Sequence, residues 1–253
     1  MSILSHPLTK HLELDDPELT VLRRRIVREK SFLRQIYLEW YEFIAASLPE
    51  SNGPVLELGA GAGFMGDIVS DLIRSEIFYS KGIDIVADGQ CLPFRRNALR
   101  GIVMTDVLHH LPDVHLFFSE ASRCLLQGGV VCMVEPWVSP WSRLVYDKLH
   151  HEPFEPERVP WSFPASGPVS GANGALPWIV FERDREIFEQ KFPNLQIVSI
   201  KPTMPFRYLL SGGVSMRSLV PGCSFRLCKV LENSLQSWID TWAMFAMIVL
   251  VKK

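Results

Sequence analysis

A burst of apolar residues, Val55-Leu56-Glu57-Leu58, runs straight into Gly59-Ala60-Gly61-Ala62-Gly63. The burst predicts a buried strand, and the alternating glycines predict a tight turn whose backbone stays bare. A ligand can lie directly on such a turn, and a short helix over Phe64 to Leu72 would add the unpaired N–H groups of its N-terminus. Strand, glycine turn and helix together open a βαβ unit, so a mostly parallel sheet is expected.

The rest of the chain fits that beginning. From Pro17 to Leu48 the residues Leu19, Leu22, Ile26, Phe32, Ile36, Trp40, Phe43 and Ile44 recur at steps of three and four, which predicts one or two amphipathic helices. Further strands are expected at 73–78, 83–87, 99–106, 130–135, 195–200 and 242–251, with helices at 116–126 and 184–192. Between the second and third strands stand only Tyr79-Ser80-Lys81-Gly82, too few residues for a crossover helix. The expected fold is therefore α/β, a doubly wound and mostly parallel sheet shortened between its second and third strands. Its parts are an N-terminal helical cap over 1–50, packed on the ligand side, and a domain over 51–253. Two stretches without sustained periodicity, 136–180 and 203–240, interrupt that domain as lid insertions; the aromatic content of the first favours an ordered cover.

Composition excludes several classes. At 253 residues the chain can bury one good core, and 47% hydrophobic with 21% charged residues is far from a disordered composition. A net charge of −2 creates no field that gathers a polyanion, and the run Arg23-Arg24-Arg25 reads as a solvated helix face, so no nucleic-acid partner is expected. Five cysteines without a C-x-x-C pair, and first residues without a secretory pattern, point to reduced thiols and a cytoplasmic protein. The longest apolar run, Trp242 to Val251, is about half of the roughly 20 residues a membrane helix needs. No transmembrane segment is expected, while the hydrophobic second insertion leaves peripheral membrane contact open.

Two ligand classes suit the glycine turn. Gly61-Ala62-Gly63-Phe64-Met65-Gly66 satisfies the G-x-G-x-x-G pattern of dinucleotide sites. Against it stands Glu57, two residues before the first glycine. A carboxylate there repels a pyrophosphate but attracts the ammonium and sulfonium of S-adenosylmethionine.

Here the chain resembles a known family, the class I S-adenosylmethionine-dependent methyltransferases of the small-molecule kind called methyltransferase type 11. The matching pieces are LELGAGAG at 56–63, ADGQCLPF at 87–94, VMTDVLHHLPD at 103–113 and LLQGGVVCMVEP at 125–136, all in family order. The resemblance implies a Rossmann-like methyltransferase core with S-adenosylmethionine as cofactor. It implies that Glu57, Gly59, Ala60, Gly61 and Gly63 hold the methionine end. Asp88 would accept from the adenine amino group, with Gly89 and Gln90 beside the ring and Thr105 and Asp106 on the pocket floor. The family's ribose acid has two candidates, Glu76 thirteen residues after Gly63 and Asp84 twenty-one after it. Glu76 is preferred, because it leaves Ile83 to Asp88 free to form the adenine strand.

The resemblance also places His109-His110 near the methyl donor, with His110 taken as the catalytic residue and a packing role as the alternative. His150-His151-Glu152, with Glu135, could be read as metal ligands, but neither an HExxH spacing nor a Cys/His set accompanies them, so no metal is expected. The expected reaction is methyl transfer to a small, partly apolar acceptor enclosed by aromatics of the insertions; a non-catalytic cofactor-binding module is the alternative.

Overall fold

The computed structural model describes residues 17–149, 152–164, 167 and 171–253; His150 and His151 lie outside the described residues. Two helices open the chain, α1 (Pro17–Glu29) and α2 (Ser31–Ser47), divided at Lys30, whose extended backbone interrupts the helical run. Then follow β1 (Val55–Leu58), β2 (Leu72–Glu76), β3 (Ile85–Val86), β4 (Leu99–Thr105), α3 (Val114–Cys124) and β5 (Leu125–Pro136). The second half holds α4 (Pro140–Leu149), a short α5 (Leu176–Trp178) running into a π-helical turn at Ile179–Arg183, α6 (Arg185–Lys191) and β6 (Leu195–Thr203). It ends with α7 (Arg207–Ser211), α8 (Phe225–Ser234), α9 (Ile239–Trp242) and β7 (Phe245–Lys252).

The strands form one seven-stranded sheet in the order β3-β2-β1-β4-β5-β7-β6. β1 to β5 run parallel, and β7 inserts antiparallel between β5 and β6. This is the doubly wound, mostly parallel sheet the sequence predicts. As expected, β2 reaches β3 without a helix. Arg74 on β2 clamps the short link by donating from Nε and Nη2 to the Asp84 carboxylate, at 2.9 and 2.8 Å.

Three expectations need correction. The helix expected over Phe64 to Leu72 is replaced by one 3-10 turn, Met65–Asp67, which follows another, Ala60–Ala62, within the glycine turn. Gly66 lowers helix propensity there, β-branched Ile68 and Val69 lower it further, and Asp71 at φ 57° ends the segment. The 136–180 insertion contains α4, which Pro140 can begin because its first position needs no N–H donor. The last strand starts at Phe245 rather than Trp242, which closes α9.

Helix α2 buries Phe32, Leu33, Ile36, Tyr37, Trp40, Tyr41 and Ile44 against β5 and α7. Each such side chain contributes about 1.5–3 kcal/mol of burial. Trp40 stacks on Tyr208 and tilts against Phe245, with ring centroids 5.7 and 5.2 Å apart, so the helical cap and the second insertion share one core with the sheet. Arg207 fixes the same junction, donating to Glu232 of α8 and, at 2.8 Å, to Glu39 of α2. Among the described residues no helix is long and apolar enough to cross a membrane.

Candidate active site

The carboxyl ends of β1, β2 and β4 meet where the strand order reverses, with β2 on one side of β1 and β4 on the other. Ligands of doubly wound sheets bind outside such a switch point. A cavity of about 500 Å³ opens there, within the roughly 300–1,000 Å³ typical of small-molecule sites.

Its floor carries most of the residues singled out in the sequence. Gly59, Glu76, Asp88, Gly89, Gln90, Thr105, Asp106 and His110 all line the cavity. Gly59 turns the chain at φ 68°, a left-handed conformation, and a Cβ there would collide with Val107. Asp106 also sits at positive φ, 64°, an unusual conformation for a non-glycine residue that concentrates at functional sites. Asp88 Oδ1 accepts from the Gln90 backbone N–H at 2.8 Å, and the Gln90 side chain in turn accepts from the Asp113 N–H at 3.1 Å. Thr105 Oγ1 is buried and has no hydrogen-bond partner among the described residues.

Glu57, Ala60, Gly61 and Gly63 are placed differently. They are not among the cavity-lining residues; they form the scaffold of the turn. Glu57 is buried, with its Oε1 3.4 Å from the position a Cβ of Gly63 would occupy, beside the Tyr41 hydroxyl. The Gly61 N–H donates to Glu76 Oε1 at 2.7 Å, and Arg24 Nε donates to the Gly61 carbonyl at 2.7 Å. The glycine turn is thus braced by α1 from outside and by the β2 acid from inside, where a following helix was expected to stand. Of the two ribose candidates, Asp84 is engaged by Arg74, and Glu76 faces the cavity.

Burial sets the charge states. It pushes the Glu57 carboxyl up to about 8, reinforced by repulsion from Glu76 and opposed by Arg74 and Arg24. Between its ordinary value near 4.5 and 8 the folded chain holds a proton that the unfolded chain has released. Stability falls as pH rises through that window, by up to about 1.4 kcal/mol per pH unit. We expect Glu57→Gln, which cannot ionise, to lose less stability than the natural chain between pH 5 and 8 in melts followed by circular dichroism; parallel curves would refute a buried, proton-holding Glu57. Burial also raises Asp106 to about 6, although His109 draws it down.

At the far end the sequence reading missed one partner. His109 is buried, and its Nδ1 lies 2.8 Å from Glu135 Oε2, while Glu135 Oε1 accepts from the Val107 and Leu108 N–H groups, both at 2.8 Å. Burial favours the neutral ring of His109, but the carboxylates of Glu135 and Glu152 overcome it and raise its pKa well above the ordinary value. His110, half-buried, is pushed down to about 4 by desolvation and then by the charge on His109, and is neutral at physiological pH. In the sequence Glu135 stands out only as a metal candidate; its position at the end of β5, next to β4, the strand that leads into the His109 turn, is the available signal. Thr20, Arg23 and Tyr37 of the helical cap also line the cavity, and helical periodicity alone did not select them.

A bare glycine turn, an acid on β2, an Asp-Gly pair after β3 and a strained acid after β4 are gathered at the switch point of a Rossmann-like sheet. The family described as "Methyltransferase domain" matches residues 56–133. Residues 56–133 thus resemble a methyltransferase domain, and the sheet has the Rossmann-like fold of methyltransferases of solved structure. No curated protein matches its sequence. Among solved structures it is similar to geranyl diphosphate C-methyltransferase from Streptomyces coelicolor A3(2), in complex with Mg2+, geranyl diphosphate and S-adenosyl-L-homocysteine. The TM-score is 0.53 at 15% identity, over 95% of this chain and 87% of that one. A geranyl diphosphate methyltransferase in complex with S-adenosylmethionine gives 0.53 at 15% identity, covering 91% and 90%. A Pyrococcus horikoshii OT3 protein gives 0.50 at 14% identity, covering 87% and 92%.

Proposed function

We propose that the chain moves a methyl group from S-adenosylmethionine to a small, partly apolar molecule held in the same cavity. The observation that carries this reading is the shared lining: cofactor-type acids at one end and aromatic residues at the other. Asp88, with Gly89 and Gln90, receives the adenine, Glu76 the ribose hydroxyls, and Gly59, Thr105 and Asp106 the methionine end. Thr105 Oγ1, buried without a partner, fits a ligand that supplies one. Glu57, Ala60, Gly61 and Gly63 act at one remove, fixing the turn that presents Gly59. When bound, the cofactor supplies an electrophilic methyl on a sulfonium.

The protein's own task is alignment and exclusion of water. Tyr146, Phe154, Tyr208, Met216 and Phe245 line the acceptor end, an apolar wall suited to an apolar body. Lys30 Nζ holds part of that wall by donating to the Gly213 and Met216 carbonyls at 2.6 and 2.9 Å. His110 lines the same end and is the residue assigned to act on the acceptor.

The test is transfer of labelled methyl from S-adenosylmethionine to fractions of a cell extract, with mass spectrometry of the product. A labelled small molecule is expected. Binding of S-adenosylhomocysteine with no transfer to any fraction would favour a non-catalytic binding module. Asp88→Ala should weaken S-adenosylhomocysteine binding about tenfold by calorimetry, since one hydrogen bond contributes roughly 0.5–1.5 kcal/mol; unchanged affinity would remove Asp88 from the adenine site.

A second reading concerns location. The exposed side chains of Leu227, Val230 and Leu231 on α8, with Trp238 beyond it, favour peripheral contact with a bilayer. Co-sedimentation with liposomes is expected, and a clean supernatant would dismiss it.

A further inference from the structure

We propose that His109, His110 and Glu152 bind a divalent transition-metal cation at the acceptor end of the cavity, with Glu135 and the Gly171 carbonyl orienting the two imidazoles. The sequence reading grouped Glu152 with its neighbours His150 and His151, without metal. The structure instead brings Glu152 to the histidine pair that follows β4. One ligand atom from each of His109, His110 and Glu152 lies within 4.8 Å of the others.

The orientation of the rings carries the inference. His109 Nδ1 faces Glu135 Oε2 at 2.8 Å, and His110 Nδ1 faces the Gly171 carbonyl at 3.2 Å. A carbonyl oxygen only accepts, and the Glu135 carboxylate is already fixed by two backbone N–H groups. Each Nδ1 therefore carries a hydrogen, and Nε2 is the nitrogen each ring offers to an ion, which on His109 takes the place of the second proton. A ligating histidine is held in this way by an acceptor on its second nitrogen.

Both Nε2 atoms point at one carboxylate. His109 Nε2 is 3.6 Å from Glu152 Oε2, and His110 Nε2 is 4.0 Å from Glu152 Oε1. These separations are too long for hydrogen bonds. Ligands on a common ion, at bond lengths of about 2.0–2.2 Å, stand roughly 3–3.5 Å apart. Holding an ion would draw the three ligand atoms, which lie within 4.8 Å of one another, to that closer spacing. Asp106 Oδ1, 4.0 Å from His109 Nε2, offers a fourth oxygen.

Two imidazoles and a carboxylate suit a first-row ion such as Mn2+, Fe2+, Co2+ or Zn2+ better than Mg2+ or Ca2+. Three protein ligands leave positions open toward the cavity. On the methyltransferase reading, on which this last step rests, they receive an acceptor oxygen, and His110 acts as a ligand rather than as the base itself.

The test titrates the chelator-treated full chain with Co2+ alone, following the visible absorption of the bound ion, and measures S-adenosylhomocysteine binding on the same samples. One Co2+ per chain is expected, displaced by Zn2+. Glu152→Gln and His110→Ala should each weaken it by more than about tenfold, and Glu135→Gln, which alters only a positioning residue, by about 10- to 100-fold. Retained S-adenosylhomocysteine binding shows that the variants fold. No spectral change in the natural chain, or equal Co2+ affinity in Glu152→Gln, would overturn the site. Co2+ binding without S-adenosylhomocysteine binding would uphold it and count against the methyltransferase reading alone.

Discussion

Glu76→Ala is expected to lower S-adenosylhomocysteine affinity by about 10- to 100-fold, the cost of losing hydrogen bonds to a charged group, roughly 1.5–3 kcal/mol. Two consequences combine in that loss. The carboxylate faces the cavity where the ribose hydroxyls are assigned, and its Oε1 is also the acceptor of the Gly61 N–H at 2.7 Å. Removing it deprives the ligand of a partner and releases the turn that carries Gly59. Glu76→Gln keeps one acceptor oxygen, so it should fall between alanine and the natural chain. Calorimetry on the three proteins checks the order; equal affinities would mean that the ribose is held elsewhere. The same change at Asp84 should have little effect, because that carboxylate is committed to Arg74 on the second strand.

Phe118→Ala should destabilise the fold by about 3–5 kcal/mol, the range for truncating a buried aromatic. Phe118 is fully buried in α3, and its ring meets Phe117, Phe181, Phe188 and Phe192 at centroid distances of 5.0 to 5.7 Å. These partners come from α3, the π-helical turn and the α6 region, so one truncation opens a hole where the first insertion joins the core. At about 2–4 °C per kcal/mol for a chain of this size, the melting temperature should fall by some 6–20 °C. A fall of only a degree or two would show that the cluster can collapse into the space.

Both predictions rest on features that differ in how readily the sequence shows them. The strand at Val55, the glycine turn and the order of motifs up to Pro136 are local: periodicity and turn chemistry act between near neighbours, and the sheet order follows. The missing helix after Gly63 was hidden because Phe64, Met65, Ile68 and Val69 have helical spacing, while Gly66, the β-branched pair and the strained Asp71 act against it. Glu57 shows a different limit. Charge complementarity argues that an acid before the first glycine meets a cationic ligand, but its distance from the cavity surface depends on Tyr41 and Arg24, which belong to the helical cap. The pairing of His109 with Glu152 was out of reach for the same reason, since an insertion brings those residues together only in three dimensions. Patterns from the insertions predicted an aromatic cover, and Tyr146, Phe154 and Tyr208 do line the cavity.

Calorimetric titration of the full chain with S-adenosylhomocysteine, with NADH as the control, tests the central claim most directly. A cavity floored by Glu76, Asp88 and Asp106 predicts one-to-one binding of the sulfur nucleoside and none of the pyrophosphate-bearing dinucleotide. Heat from NADH, with none from S-adenosylhomocysteine, would contradict it.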